Sequence, residues 1–263
     1  VAADPGAWPD RSVLVTDHQQ AGRGRAGRTW TTPQGAALTF SVLLRPGVRL
    51  ERFGWVPLLA GVAVVRALAD LGVTASVKWP NDVLVSAPDG TALAGWGVQR
   101  KVAGVLSELV TTPTGPGVVV GIGVNVSQTA DELPVPSATS LRLVGEGQAG
   151  RTAGDELAAG DVDRTSLLAS LMSHLVHLDD AWRAGDAAVT ALCVAACGTI
   201  GSAVQVELPG GGHVEGVASG LSAEGALELV DVEGRTVTVL AGDVHHLRPA
   251  PGAPEGHGAG SAP

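Results

Sequence analysis

Hydrophobic and polar positions alternate in two different textures along the chain, and the texture changes at Gly198. Upstream, Arg11 to Val15 predicts a short strand entering a Gly/Arg-rich loop, Ala21 to Arg28. Gly35 to Leu44 is apolar, partly β-branched and bounded by Pro33 and Pro46, which predicts a second strand. Leu59, Val62, Ala63, Arg66, Ala67 and Asp70 recur at helical spacing, so Val56 to Leu71 reads as a helix with Gly72 placed to end it. Three more strands are predicted at Ala75 to Trp79, Gly104 to Val110 and Gly117 to Val126, with Pro88 to Arg100 as a turn-rich insertion. A long helix follows from Arg164 to Trp182, its stripe made by Leu167, Leu168, Leu171, Met172, Leu175, Val176 and Leu178 and its stop by Gly185. After Gly198 come short period-2 runs at 203–208, 213–217, 226–230 and 236–240, separated by Gly-rich turns. That pattern predicts a small all-β barrel. Pro249 to Pro263 has no periodic apolar pattern and reads as a disordered tail.

Composition narrows the function classes. The 17 Lys+Arg against 26 Asp+Glu give a net charge of −9, which argues against an electrostatic nucleic-acid binder. At 45% hydrophobic and 16% charged, the 263 residues can bury a sizeable core. The longest apolar stretch, Trp55 to Leu71, is interrupted by Arg66 and Asp70 and is too short and polar for a membrane span. Cys193 and Cys197 fall on one face of a helical run with no His or acid at metal-ligand spacing, as expected for buried thiols of a reduced cytoplasmic protein. The seven histidines form no ligand cluster, and the His245–His246 pair reads as surface decoration.

Against that acidic background three segments stand out. Gln19 to Trp30 packs Arg23, Arg25 and Arg28 among Gly22, Gly24 and Gly27: bidentate anion donors on a backbone that a ligand can approach closely. Trp30 could stack on a planar ring, although a flexible RG loop without a specific ligand has the same composition. In Val77 to Leu84, Pro80 turns the chain after Lys78 and aims Asn81 and Asp82 off the sheet. Asn-Asp is also ordinary turn chemistry. Lys101 precedes the strand that ends near Glu108, and it reads as sitting at a strand entrance. Gly121 and Gly123 alternate within a strand, where glycine weakens packing unless something approaches the backbone.

Gly-Arg-Gly-Arg-x-Gly-Arg-x-Trp, Lys-Trp-Pro-Asn-Asp, Lys-Val-Ala-Gly-Val-Leu-x-Glu and Gly-Ile-Gly-x-Asn, in this order, resemble the biotin protein ligases over roughly residues 12 to 248. The resemblance implies an α+β fold. A mixed β-sheet flanked by helices forms a biotin/lipoate ligase-like catalytic domain (1–197), followed by a small SH3-like β-barrel (198–249) and the tail (250–263). It also implies a two-step reaction. Biotin and ATP give biotinyl-5′-AMP and pyrophosphate with Mg²⁺ present, and a lysine of a biotin carboxyl carrier protein then displaces AMP. By the same resemblance Lys101 and Arg23 carry the catalysis, and Gln19 (from the strand before the loop), Arg23, Gly24, Arg25 and Lys101 hold biotin and its adenylate. Arg28, Trp30, Asn81, Gly121, Gly123 and Asn125 serve the nucleotide, Asp82 lies at the metal side, and Lys78 is an electrostatic candidate. Membrane and nucleic-acid partners are not expected, and a homodimer is compatible with the resemblance.

One departure is visible. The family's Ser-Thr-Asn segment upstream of the Gly-Arg loop has no counterpart in the eighteen residues before Gln19, and Ser137 to Ser140 lies far downstream in an apparent loop. An N-terminal strand and helix therefore read as missing. So does the DNA-binding segment of the repressor type. Two other readings stay open: a lipoate-type ligase or transferase, and a non-enzymatic RG-loop module with an SH3-like barrel.

Overall fold

The computed structural model describes residues 7–112, 115–148 and 162–247. The stretch read as a C-terminal tail lies outside them. The N-terminal part of the chain is built on a six-stranded sheet in the order β1-β4-β8-β7-β6-β5. Its strands are β1 (Val13–Thr16), β4 (Ala37–Leu44), β5 (Ala75–Lys78), β6 (Asp82–Ser86), β7 (Gln99–Thr112) and β8 (Gly115–Asn125), while β2 (Gly22–Arg23) and β3 (Thr29–Trp30) form a separate two-stranded hairpin. The ladders are antiparallel. Parallel pairing enters through single bridges, Val77 to Cys197 and Lys101 to Ala138.

Helix α1 (Val56–Ala69) buries residues all round its axis, Leu58, Leu59, Val62, Ala63, Val64 and Leu68 among them. Such a helix belongs inside a core, and α1 lies between the sheet and α3 (Arg164–Arg183). Together with the preceding turn, Leu50–Ala69 is apolar and long enough by composition to cross a membrane, which the sequence reading denied. It is largely buried in the fold. Asp163 caps α3, accepting hydrogen bonds from the Thr165 and Ser166 amides.

Several elements differ from the sequence pattern. A short helix, α2 (Leu141–Gln148), was not anticipated, and the Ala/Val-rich run forms α4 (Ala187–Ala196) with Cys197 just past its end. Strand β6 starts at Asp82, directly on the turn. Strand β7 begins at Gln99, because its polar first residues pair with β6 across a bulge at Val83/Leu84. Lys101 is therefore inside a strand, not at its entrance.

Beyond Gly198 the strands β9 (Ala203–Glu207), β10 (His213–Leu221), β11 (Leu227–Val230), β12 (Thr236–Val239) and β13 (Asp243–His246) form their own SH3-like antiparallel sheet, ordered β12-β11-β10-β9-β13. No β12–β13 pairing closes it into a barrel among the described residues. The His245–His246 pair proves to be part of a strand. Two indoles fasten this sheet to the N-terminal half: Trp55 Nε1 donates to Ala223 O at 2.8 Å and Trp79 Nε1 to Gly225 O at 3.3 Å. Gly54 leaves no space there for a Cβ, which would collide with Glu224 O.

Candidate active site

Helix α1 covers one face of the sheet, with Val77 of β5 packed against its Gly61. Side chains alternate along a strand, so Lys78 points to the opposite face, where the chemistry-bearing segments gather. Hairpin β2/β3 bends Trp30 onto that face. A Cβ placed on Gly123 would stand 2.7 Å from the indole's Cε2 and Cζ2, and one on Gly104 would stand 3.4 Å from Cζ3. Gly123 is glycine because Trp30 rests on it. Gly121 is different: its Cβ would meet only Leu106 O at 3.6 Å and Ser41 Oγ at 3.8 Å, so no protein group demands the space.

Lys101 extends along β7, its Nζ 2.6 Å from Asp82 Oδ1 and 5.6 Å from the centre of the Trp30 ring. Both charges are mostly shielded, with 26% and 19% of their side chains exposed, so the pair works in a medium where charge attraction is stronger than in open water. The Lys101 backbone is pinned as well. Its amide donates to Ser137 O (2.8 Å) and its carbonyl accepts from the Thr139 amide (2.9 Å). The segment 137–140, loop-like in composition, is thus the brace of the central lysine. It also reaches Asn125, whose Nδ2 donates to Thr139 O (2.9 Å) and whose Oδ1 accepts from Gln128 Nε2 (3.1 Å). Ser140 Oγ donates to Gln128 O at 2.6 Å. Gln128, Thr139 and Ser140 are buried. Sequence reasoning missed Gln128, and a buried glutamine carries no local signature.

The loop cations are paired. Arg23 Nη2 lies 3.1 Å from Glu108 Oε2, Arg28 meets the carboxylate of Asp243 on β13, and Arg25 Nη2 donates to Gly242 O at 3.3 Å. The loop thus rests on both halves of the molecule. Gln19 lies in the loop after β1, not on a strand, and is half-buried beside Gly22. Gly24 sits in the hairpin, its amide bonded to Arg28 O at 2.6 Å. The Asn81 amide is spent inside the protein, donating to Val105 O at 2.9 Å, and Asn125 is likewise occupied. Burial pushes the Lys78 pKa below the ordinary lysine value, with Asp82 pulling the other way.

The geometry therefore joins Trp30, Gly123, Lys101, Asp82 and Lys78 on one face, with the arginine loop above and Asn81 and Asn125 as internal struts. A cavity of about 340 Å³ adjoins this site at the seam between the halves. Arg25, Asn81 and Ser107 line one side of it, and Glu224, Ala226 and Leu240 the other. Among the described residues no group of three His, Cys, Asp or Glu could cage a metal.

Comparison with known proteins points one way. Residues 5–125 match the Biotin/lipoate A/B protein ligase family and residues 199–247 the Biotin protein ligase C terminal domain. The biotin–[acetyl-CoA-carboxylase] ligase of Mycobacterium tuberculosis is 40% identical over 253 residues, covering 94% of this chain and 83% of that protein. The corresponding Paracoccus denitrificans ligase is 29% identical over 243 residues, covering 90% and 91%. Among solved structures, the Aquifex aeolicus biotin protein ligase in complex with biotin and ATP superposes with a TM-score of 0.70 at 28% identity, covering 92% of this chain and 90% of that one.

Proposed function

The chain belongs to the biotin protein ligase family, and from that premise we propose how its own residues activate biotin with ATP and pass it to a lysine of a biotin carboxyl carrier protein. The observation that carries the reading is the shielded Lys101–Asp82 pair beside Trp30. Step one brings a carboxylate to a phosphate, two anions whose repulsion and transition-state charge need fixed positive charge. Lys101 supplies it. Its backbone is clamped by residues 137–139, so only the flexible end of the side chain has to turn from Asp82 to the reacting oxygens.

The biotin carboxylate oxygen forms a bond to the α-phosphorus as the bond to the β-phosphate breaks, giving biotinyl-5′-AMP and pyrophosphate. Arg23 exchanges Glu108 for the ligand's anionic groups and Arg25 reaches in beside it, so the loop folds over the mixed anhydride and keeps water away. Trp30 gives adenine a surface that Gly123 holds in place. In step two the carrier's lysine, as the free amine, attacks the biotinyl carbonyl, AMP leaves with the bonding pair, and the proton shed by the nitrogen passes to solvent. Mg²⁺ takes few protein ligands and travels with phosphates; Asp82, freed from Lys101, is the carboxylate that fits it, and the ion would neutralise phosphate charge. Two buried, unpaired thiols suit a reducing compartment, so we assign the enzyme to the cytoplasm.

Biotin-dependent ATP–pyrophosphate exchange tests the reading, with lipoate as the control acid. Lys101→Gln is expected to lower exchange by at least a hundredfold while circular dichroism stays unchanged. Exchange near the wild-type rate would remove Lys101 from the chemistry, and exchange with lipoate in place of biotin would reassign the substrate.

A further inference from the structure

Four directly opposed residues on neighbouring strands make one row across the ligand face: Gly123 on β8, Gly104 on β7, Asp82 on β6 and Lys78 on β5. Opposed residues of an antiparallel pair point the same way. The row therefore runs from the Trp30 surface over the two glycines, past the Lys101–Asp82 pair, to a second lysine on the sheet's outermost strand. Because Lys101 already reaches across to Asp82, Lys78 lies about 5 Å farther on, one strand spacing.

Lys78 is not an ordinary solvated charge. Its ammonium stands 4.5 Å over the centre of the Trp96 ring, and the side chain is half-buried. Trp96 belongs to the connection 87–98 between β6 and β7, and that connection is stapled in place. Buried Arg100 donates to Gly97 O (3.1 Å), Gln99 O (2.9 Å) and Thr91 O (2.6 Å), and the Leu93 amide donates to Gly97 O (2.8 Å). At its base Pro88 sits against Gly147 of α2, where a Cβ would be 2.5 Å away. The indole is held over the lysine by the build of the loop. Covering a cation with an aromatic face keeps water off it while retaining its charge.

A nucleotide lying along the row, ring on Trp30 and α-phosphate at Lys101, extends its remaining phosphates towards Lys78. We propose that Lys78, held beneath Trp96, binds the β- and γ-phosphates of ATP and stabilises pyrophosphate as it departs. This rests on the biotin–ATP ligase reading above. In the activation step the carboxylate oxygen bonds to the α-phosphorus, the α-phosphorus to bridging-oxygen bond breaks, and that oxygen leaves with the electron pair as part of pyrophosphate. No proton moves. Negative charge grows on the leaving oxygen, at the end of the row where Lys78 stands. Trp96 is a positioning residue: it acts through the lysine.

The test uses the full chain and compares ligands with and without those phosphates. Lys78→Gln is expected to raise KM for ATP, and KM for pyrophosphate in the reverse reaction, at least tenfold, with Kd for AMP and for biotin within twofold of wild type. Trp96→Ala is expected to give the same split at about threefold, and Trp96→Phe to restore it. A merely structural role would weaken AMP and biotin together with ATP. Lys78→Met, apolar enough for the site, replaces Lys78→Gln if the glutamine variant does not fold. An unchanged KM for pyrophosphate, or a parallel loss of AMP affinity, overturns the assignment while leaving the ligase reading in place. A wild-type chain without biotin-dependent exchange would instead overturn the ligase reading, and this assignment with it.

Discussion

Replacing Gly123 with Ala tests the indole surface on which the nucleotide reading depends. The backbone needs no special conformation there, so the whole effect comes from one methyl group placed 2.7 Å from Trp30 Cε2 and Cζ2 and 3.0 Å from Nε1. Carbon contacts settle near 3.5–4.0 Å, so the ring must back away by about 1 Å. Trp30 is half-exposed and has somewhere to go, which holds the stability loss to about 1 kcal/mol, the low end for overpacking. The kinetic cost is larger, because a misplacement of about 1 Å at a reacting centre can cost up to a hundredfold. ATP–pyrophosphate exchange should therefore fall roughly 10- to 100-fold with little change in Tm. Gly121→Ala, on the same strand with only ordinary contacts at 3.6 and 3.8 Å, should leave Tm unchanged and the indole in place, and lower exchange less than Gly123→Ala does. Equal exchange rates in Gly123→Ala and Gly121→Ala would refute the argument, since only one of them touches the indole.

Three further outcomes are expected. Asp243→Ala frees Arg28, and because that pair is largely exposed, worth about 0.5–1 kcal/mol, biotinyl-adenylate should escape about two- to fivefold faster; an unchanged release rate in a dilution assay would show the pair to be idle. Burial pushes the Cys193 thiol up to about 12 and raises that of Cys197, so neither should react with a thiol reagent at neutral pH until denaturant is added; stoichiometric labelling of the native chain would contradict this. Burial works to raise the pKa of Asp10, but hydrogen bonds from Arg183 and the Arg45 amide hold it below the ordinary aspartate value. Its contribution is therefore complete above that value and lost as pH falls through the folded one. Arg183→Met should cost about 2 kcal/mol at neutral pH, discounted for the third of the Asp10 side chain that is exposed. The gap, measured by urea unfolding, should narrow in acid; a gap independent of pH would count against the pair.

Local chemistry made much of this molecule legible. The glycine-spaced arginines and the turn after Trp79 each have a physical reason that shows in a short window, and of the two alternating glycines Gly123 meets a close approach, that of Trp30, while Gly121 has only ordinary contacts. What stayed hidden is what distant segments do to one another. Lys101 looked like a strand entrance because Gln99 and Arg100 are polar, yet pairing with β6 carries the ladder past them. Strand β6 was obscured because its first residue doubles as a turn residue, and α2 because eight residues, two of them glycine, make too short a run for its helical pattern to stand out. Asn81 and Asn125 have the right chemistry for a nucleotide. Only the fold reveals that carbonyls 24 and 14 residues away take their amides. The arginine loop's anchorage on β13 spans more than 200 residues and no local pattern could announce it.

The seam between the two halves has an optical consequence. With six tryptophans and no tyrosine, the protein's ultraviolet emission comes from indoles alone. Trp55 and Trp79 are buried at the seam and give their N–H groups to carbonyls of the opposite half, while Trp30 and Trp96 stand at the two ends of the ligand face. A swing of the terminal sheet away from its partner would strip the first two of those carbonyls and wet them, moving their emission to longer wavelength. Ligand arrival would act on the second two and leave the seam dark to it. Single Trp→Phe replacements can separate the signals, so the unlabelled chain carries its own gauge of whether its halves part during a catalytic cycle.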